Sequence, residues 1–560
     1  MMSHRKSGVL LHITSLPDSP GIGTLGKSAY AFVDWLCAAG QTLWQVLPLG
    51  PTGYGDSPYA SFSTFAGNPL LVDLLDLVER GWADAADVAP PEYIKTSGPV
   101  DYGSVVWWKL PVLYRCAAYF LSHCTEADRA LYEAFKNDQS AWLNNFADYT
   151  SIKKHYDAMA SRQGIKGVKS MWNQFWPRDL ASHDPAAVSR WNAAHAEDVE
   201  QIKVVQFFFF AQWRHLKAYA NKKGVSIVGD IPIFVAGDSA DVWANQNLFQ
   251  IDKSTLLQKT SAGVPPDYFS ATGQLWGNPL YDWEAMKADH YSWWVDRIKA
   301  MLNLVDIVRI DHFRGFEAYW QIPYGAPNAI KGAWVKGPAE ALFNEIKKQL
   351  GTLPIIAEDL GVITPEVEKL RDGCGFPGMK ILQFAFDEKP WTKESARNEN
   401  LPANFASPNV VVYTGTHDND TTAGFFASCR PRLKKNVLRY FELEAEGILR
   451  AFKTDSARGS DGGPGSAESA STSSESDEVD VSTLPSDKEL TERLVEAAFN
   501  SCAETCIVPM QDVYALGSEA RMNTPSTTGK NWAWRMDAAL LDSAGASRLA
   551  ELSRKSGRNL

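Results

Sequence analysis

The run Val308-Arg309-Ile310-Asp311-His312-Phe313-Arg314-Gly315 ends an apolar stretch in a carboxylate flanked by cations. A carboxylate kept ionised by a guanidinium is a poised nucleophile, and Arg309, two residues before Asp311, falls on the same face of an extended strand. Two more apolar runs finish in the same way. Pro354-Ile355-Ile356-Ala357 leads into Glu358-Asp359, and Asn409 to Tyr413 leads into Thr416-His417-Asp418-Asn419-Asp420. Three acids at three strand ends suit glycoside chemistry. There one carboxylate forms a covalent glycosyl ester, one carboxyl group protonates the leaving oxygen, and further polar groups support an oxocarbenium-like transition state. Of Glu358 and Asp359 only one side chain can face such a site, because strand neighbours point to opposite faces.

The elements that position these acids are short apolar strands with helical stretches between them, expected at 43–47, 226–235, 305–313, 355–360, 381–386 and 410–413. This alternation predicts an α/β fold with a parallel sheet and crossover helices. Acids at several strand ends favour the closed (β/α)8 TIM barrel over a doubly wound sheet, a choice that periodicity alone leaves open. Residues 83 to 206 are helix-rich, carry Trp107, Trp108, Trp142, Trp172 and Trp176, and show no strand-end acid. They read as an inserted helical subdomain flanking the cleft, with the catalytic domain formed by residues 1–454 and 488–560. Helices are expected near 433–452 and 489–504.

Between them, residues 455–487 contain eight acids, one arginine and no aromatic residue, so most of the net charge of −11 lies there. Such a segment buries too little apolar surface to offset the entropy of ordering it and reads as a disordered acidic Ser/Gly-rich insertion. The remaining charge gives no basis for nucleic-acid binding. Hydrophobic residues make up 45% of the chain, no apolar run reaches membrane-spanning length, and the first motif begins within a few residues of Met1. A cytoplasmic globular protein with no membrane partner is expected. Seven scattered cysteines read as reduced, buried filler, with Cys502 and Cys506 four apart on a helix and no further ligands to complete a metal site. Twenty tryptophans fit a sugar polymer, yet most should be core; Trp276, bracketed by Gly273 and Gly277, is the exception.

Ordered blocks along nearly the whole chain resemble one family. They are Lys6-Ser7-Gly8-Val9-Leu10-Leu11-His12-Ile13-Thr14-Ser15-Leu16-Pro17, Trp44-Gln45-Val46-Leu47-Pro48-Leu49, Gly53-Tyr54-Gly55-Asp56-Ser57-Pro58-Tyr59 and Gly229-Asp230-Ile231-Pro232-Ile233. Further on come Gly263-Val264-Pro265-Pro266-Asp267-Tyr268-Phe269, Gln274-Leu275-Trp276-Gly277-Asn278-Pro279, Pro509-Met510-Gln511-Asp512 and Ala520-Arg521-Met522-Asn523-Thr524-Pro525. The chain resembles the 4-alpha-glucanotransferases called amylomaltases or disproportionating enzymes, relatives of the alpha-amylases.

The resemblance implies a (β/α)8 barrel with helical insertions and transfer of an alpha-1,4-glucan segment, with retention, to the 4-hydroxyl of another glucan, a malto-oligosaccharide or glucose as acceptor. It implies Asp311 as nucleophile, Glu358 as general acid/base and Asp418 as stabiliser of the transition state. It also implies that Tyr59, Asp230, Arg309, His312, His417, Tyr54, Asp267, Tyr268, Phe269 and Trp276 contact substrate. Ala271 stands where many relatives have Glu, and the segment from Gly50 to Tyr59 is closer to the bacterial members than to the plastid ones. No metal and no cofactor are implied, and oligomeric state stays open. The same acids would serve a hydrolase with water as acceptor; a noncatalytic glucan-binding protein could have lost any of them, whereas all three are present.

Overall fold

The structure is a computed structural model and describes residues 5–266, 270–446 and 481–559. Eight short strands form one parallel sheet: β1 Lys6–Leu10, β2 Leu43–Gln45, β3 Ser226–Pro232, β4 Ile307–Asp311, β5 Ile355–Ala357, β6 Gly378–Ile381, β7 Val410–Tyr413 and β8 Thr505–Pro509. Strands that are neighbours in the chain pair throughout except β5 with β6, which stand at the two ends of the ladder, and β8 pairs with β1. Between β5 and β6, Ala357 N–H donates to Pro377 O at 2.9 Å, and Met379 N–H donates to Asp359 Oδ1 at 2.7 Å. A Cβ on Gly378 would sit 2.3 Å from Asp359 Oδ2, so that join needs glycine. The sheet is a (β/α)8 barrel.

Alternation along the strands separates two cores. Leu43, Val228, Ile356, Met379, Val411, Tyr413 and Ile507 fill the interior, while Val9, Val308, Ile310, Ala357, Val412 and Val508 face the surrounding helices. Arg309 and Asp311 share the interior face with Ile307 by the same period of two. Asp359 points outward to pair with Arg371. The strand-end geometry thus sorts the two adjacent acids as alternation requires.

Several elements depart from expectation. The strand expected at 381–386 lies earlier, and Leu382–Ala385 is a 3-10 turn. β1 and β8 were legible only as motif blocks, since a short apolar run does not distinguish strand from helix by period. The helix expected to reach 504 is Asp487–Asn500, and the chain turns extended at Ser501 to enter β8. Cys502 is therefore exposed beyond the helix and Cys506 is buried in a strand; only Cys116 and Cys506 fit the buried-filler expectation. The 3-10 turn Val481–Thr483 precedes that helix, Ser486 caps it by accepting Glu489 N–H at 3.2 Å, and Asp487 pairs with Lys434 at 2.5 Å, so the end placed at 487 falls inside ordered structure. Most of the 455–487 segment, and the end of the helix expected near 433–452, seen as Pro431–Ala445, lie outside the described residues.

The stretch 83 to 206 is helical, with Tyr102–His123 capped by Asp101, Glu126–Asp138 capped by Thr125, and Ser140–Arg162. Position 206 is no boundary, because Ala196–Lys222 is one helix whose Trp213 Nε1–H donates to Leu304 O against the barrel. Trp44, Trp172, Trp213, Trp243 and Trp294 are fully buried, but Trp107 is 82% exposed. An antiparallel sheet absent from the sequence reading, with strands Gln274–Pro279, Thr260–Val264, Ala318–Pro323 and Ala333–Lys336 in that order, rises from the loops after β3 and β4. Among the described residues no helix is long and apolar enough to cross a membrane.

Candidate active site

The carboxyl ends of the barrel strands gather the expected residues, which is where (β/α)8 enzymes place their chemistry. Asp311 is the last residue of β4, Glu358 follows β5, Asp418 lies in the loop after β7, and Tyr59 lies in the loop after β2. In register, Asp230 of β3 stands opposite Arg309 of β4. The Arg309 guanidinium donates to Asp230 Oδ2 at 2.6 Å and to Asp311 Oδ1 at 3.0 Å. Asp230 is thus the buried partner of the charge that holds Asp311. Tyr59 donates its hydroxyl to the same Asp230 oxygen at 2.8 Å. Burial, and then the Asp230 charge, push the Tyr59 phenol well up, so it remains a donor.

Glu358 is gripped by the backbone of two strand ends. His312 N–H donates to Glu358 Oε2 at 2.6 Å and Leu360 N–H to Oε1 at 2.9 Å. His312 takes the left-handed conformation, φ 55°, which aims both its own N–H and that of Phe313 at Glu358. A branch of this kind costs about 1–2 kcal/mol and is retained where neighbours over-determine it. Burial, reinforced by Asp311, raises the Glu358 carboxyl to about 8, against the opposing pull of Arg309. Asp311 is also pushed up by burial, but Arg309 touches it directly and opposes that shift. When the two acids hold one proton between them, it resides on Glu358 and Asp311 carries the charge.

Asp418 is fixed from the far side of the cleft. Asn523 Nδ2–H donates to its Oδ1 at 2.6 Å, and Arg521 donates to its backbone oxygen at 2.9 Å. His417 lies 3.5 Å from Asp418 and stacks on the Tyr59 ring, centroids 5.1 Å apart, with Trp532 closing the cluster. Trp276 stands with 38% of its surface exposed and sets its ring edge-on to His312 at 4.8 Å. Burial lowers the His312 imidazole to about 3, so it is neutral, and its Nε2 has no partner among the described residues.

A family model described as 4-alpha-glucanotransferase matches residues 11–541. The chain belongs to the 4-alpha-glucanotransferase family. It is 42% identical over 555 residues to the 4-alpha-glucanotransferase of Thermus thermophilus, covering 99% of both chains. It is 39% identical to the chloroplastic/amyloplastic 4-alpha-glucanotransferase of Arabidopsis thaliana, over 95% of this chain and 82% of that one. The amylomaltase of Streptococcus agalactiae, solved in complex with acarbose, superposes with a TM-score of 0.82 at 34% identity, over 99% of both chains.

Within this family member, Asp267, Tyr268 and Phe269 lie outside the described residues, and Tyr54, described by its backbone alone, begins the 3-10 turn Tyr54–Asp56. The sequence reading passed over three residues of the site. Arg521 and Asn523, which brace Asp418, sit in a quoted block but received no role. His12 follows β1, takes Leu47 N–H on Nδ1 at 3.2 Å, and is lowered to about 3 by burial and then by His417. The available signal was the one used for the acids: a polar residue directly after a buried strand.

Proposed function

We propose that the chain is a retaining 4-alpha-glucanotransferase in which Asp311 is the nucleophile and Glu358 the acid/base. A glucan lies across the barrel mouth with its scissile bond over the two acids. An Asp311 oxygen attacks the anomeric carbon while Glu358 gives its proton to the departing glycosidic oxygen, leaving a glycosyl ester and a shortened glucan. The 4-hydroxyl of an acceptor then loses its proton to Glu358 and attacks the same carbon, which releases Asp311 and restores Glu358. Two inversions at one carbon give net retention.

The observation that carries this reading is the unequal holding of two neighbouring acids, Asp311 by a guanidinium and Glu358 by burial. Environments that push two carboxyl groups apart assign nucleophile and acid. Asp418, braced by Asn523, is positioned to take hydroxyls of the transferred ring; Tyr59 and His417 supply a flat stacked surface, while His312 and Trp276 border the cleft near Glu358. Substrates are alpha-1,4-glucans and malto-oligosaccharides, with glucose as an acceptor. The work would be cytoplasmic glucan metabolism, a placement that rests on the resemblance of residues 50–59 to bacterial members. Incubation with maltotriose alone tests the reaction: transfer yields glucose together with maltopentaose and longer chains, whereas exclusively shorter products would make the enzyme a hydrolase.

A further inference from the structure

A second cleft opens between the inserted helix Ser140–Arg162 and the barrel helix Ser292–Leu304. Its volume is about 260 Å³, near the lower end of small-molecule sites at roughly 300–1,000 Å³. None of Asp311, Glu358 and Asp418 lines it. Trp142 and Trp293 contribute an apolar floor, and Asn145, Asp241, Asn247 and Asp296 contribute polar groups.

Asn145 is half-buried, and Asn247 and Asp296 are exposed at the cleft's rim. No hydrogen bond from another described residue engages the side chains of Asn145, Asn247 or Asp296. Asp241 is only 4% exposed, yet just its Oδ2 is bonded, taking Thr64 N–H at 2.8 Å. A carboxyl with one oxygen that no other residue engages, on a cleft wall, is suited to a ligand group. Burial raises Asp241 to about 7, which lets it donate as well as accept near neutrality. Asp289 is already engaged by the Ser292 hydroxyl at 2.9 Å. What remains is amides, carboxyls and apolar ring surface, with no lysine, arginine or histidine among the lining residues. Hydroxyl groups, which donate and accept at once, match such a lining better than an anion or an unbranched cation.

We infer that this cleft is a second binding site for a neutral saccharide of one or two rings, glucose being the simplest. The choice of saccharide over another polyol rests on the transferase reading, since glucose and maltose are what such an enzyme releases. The site is wired to the first. Ser63 and Asp241 line both this cleft and the pocket beneath Tyr59 and Asp230. Arg297 joins them by donating to Thr64 Oγ1 at 2.8 Å and to Pro232 O at 2.6 Å, at the end of the strand that carries Asp230.

Fluorinated glucose followed by fluorine NMR tests the site, because glucose has no glycosidic bond for the enzyme to transfer. Wild-type protein should show a bound signal for the cleft beside that of the barrel mouth. Asn145→Leu with Asp296→Leu should weaken the cleft signal at least about tenfold while maltotriose transfer stays within about twofold of wild type. A cleft signal absent from wild type, or unchanged in the double variant, overturns the inference, as does displacement by tetramethylammonium but not by unlabelled glucose. Should circular dichroism show the double variant misfolded, the exposed single change Asp296→Asn must still weaken the signal. A protein that fails to transfer but keeps the cleft signal would remove the transferase reading and leave the site standing.

Discussion

His312 N–H donates to Glu358 Oε2 at 2.6 Å, so the residue that follows one acid of the site holds the other. The parallel strands that carry them lie about 4.8 Å apart, and the left-handed turn at His312 converts that spacing into a grip. The two acids are therefore built as one unit, which shapes what their variants should do.

Asp311→Asn and Glu358→Gln each remove ionisation with little change of shape. Transfer from maltotriose should fall by at least about 10³-fold in either, and the pair should lose little more than one alone, since residues of one catalytic unit act non-additively. Maltotriose binding, followed by calorimetry, should survive. An Asp311→Asn enzyme that kept more than about a few per cent of its rate, well above the remainder expected after loss of a catalytic residue, would remove Asp311 from the nucleophile's role.

The pH profile of kcat/KM should have an alkaline limb near 8, where Glu358 loses the proton it must deliver. Its acid limb, set by protonation of Asp311, should lie above the ordinary aspartate range because burial raises that group. Stability carries the same signature with a definite sign. Glu358 is raised from 4.5, so its contribution is full below 4.5 and lost as pH rises through about 8. Urea unfolding of wild type and Glu358→Gln should therefore diverge across that window, the wild type declining relative to the variant. Parallel curves would show that Glu358 is ionised in the fold at neutral pH.

Arg309→Met should be among the most damaging single changes. Arg309 and Asp230 are both buried, and removing the cation strands a carboxylate at a cost of about 3–5 kcal/mol. Adding Asp230→Asn should restore most of the stability and none of the activity, because Asp311 still lacks its guanidinium. Chemical denaturation and maltotriose turnover on the two variants separate the effects; activity in the double variant would show that Asp311 needs no cation.

Excision of residues 455–480 with a short Gly/Ser link should leave maltotriose transfer nearly unchanged, as expected for a segment of that composition. Extending the cut through 487 should cost about 1 kcal/mol or more, because it removes the Ser486 cap and the Asp487 pair with Lys434. Thermal unfolding of both deletions measures the difference. If the shorter deletion selectively weakened action on long glucans, the segment would be a substrate contact instead of a spacer.

By itself the sequence determined the barrel strands with long Val/Ile runs, the acids that end them, and that only one of Glu358 and Asp359 can face the site, because a period of two and a strand end are local properties of the chain; the choice of Glu358 came from the family motif. It also carried the family, through blocks spread from Lys6 to Pro525. Tertiary structure alone decided that Asp230 faces Arg309 across two strands, that Asn523 braces Asp418 from a segment 105 residues onward, and that Gln274–Pro279 joins an antiparallel sheet which brings Trp276 to His312. It also decided that Cys506 lies in a strand and that one helix runs through position 206. Those outcomes depend on pairings between distant segments and on burial, which set charge states as well as contacts. A local pattern of residue types specifies neither.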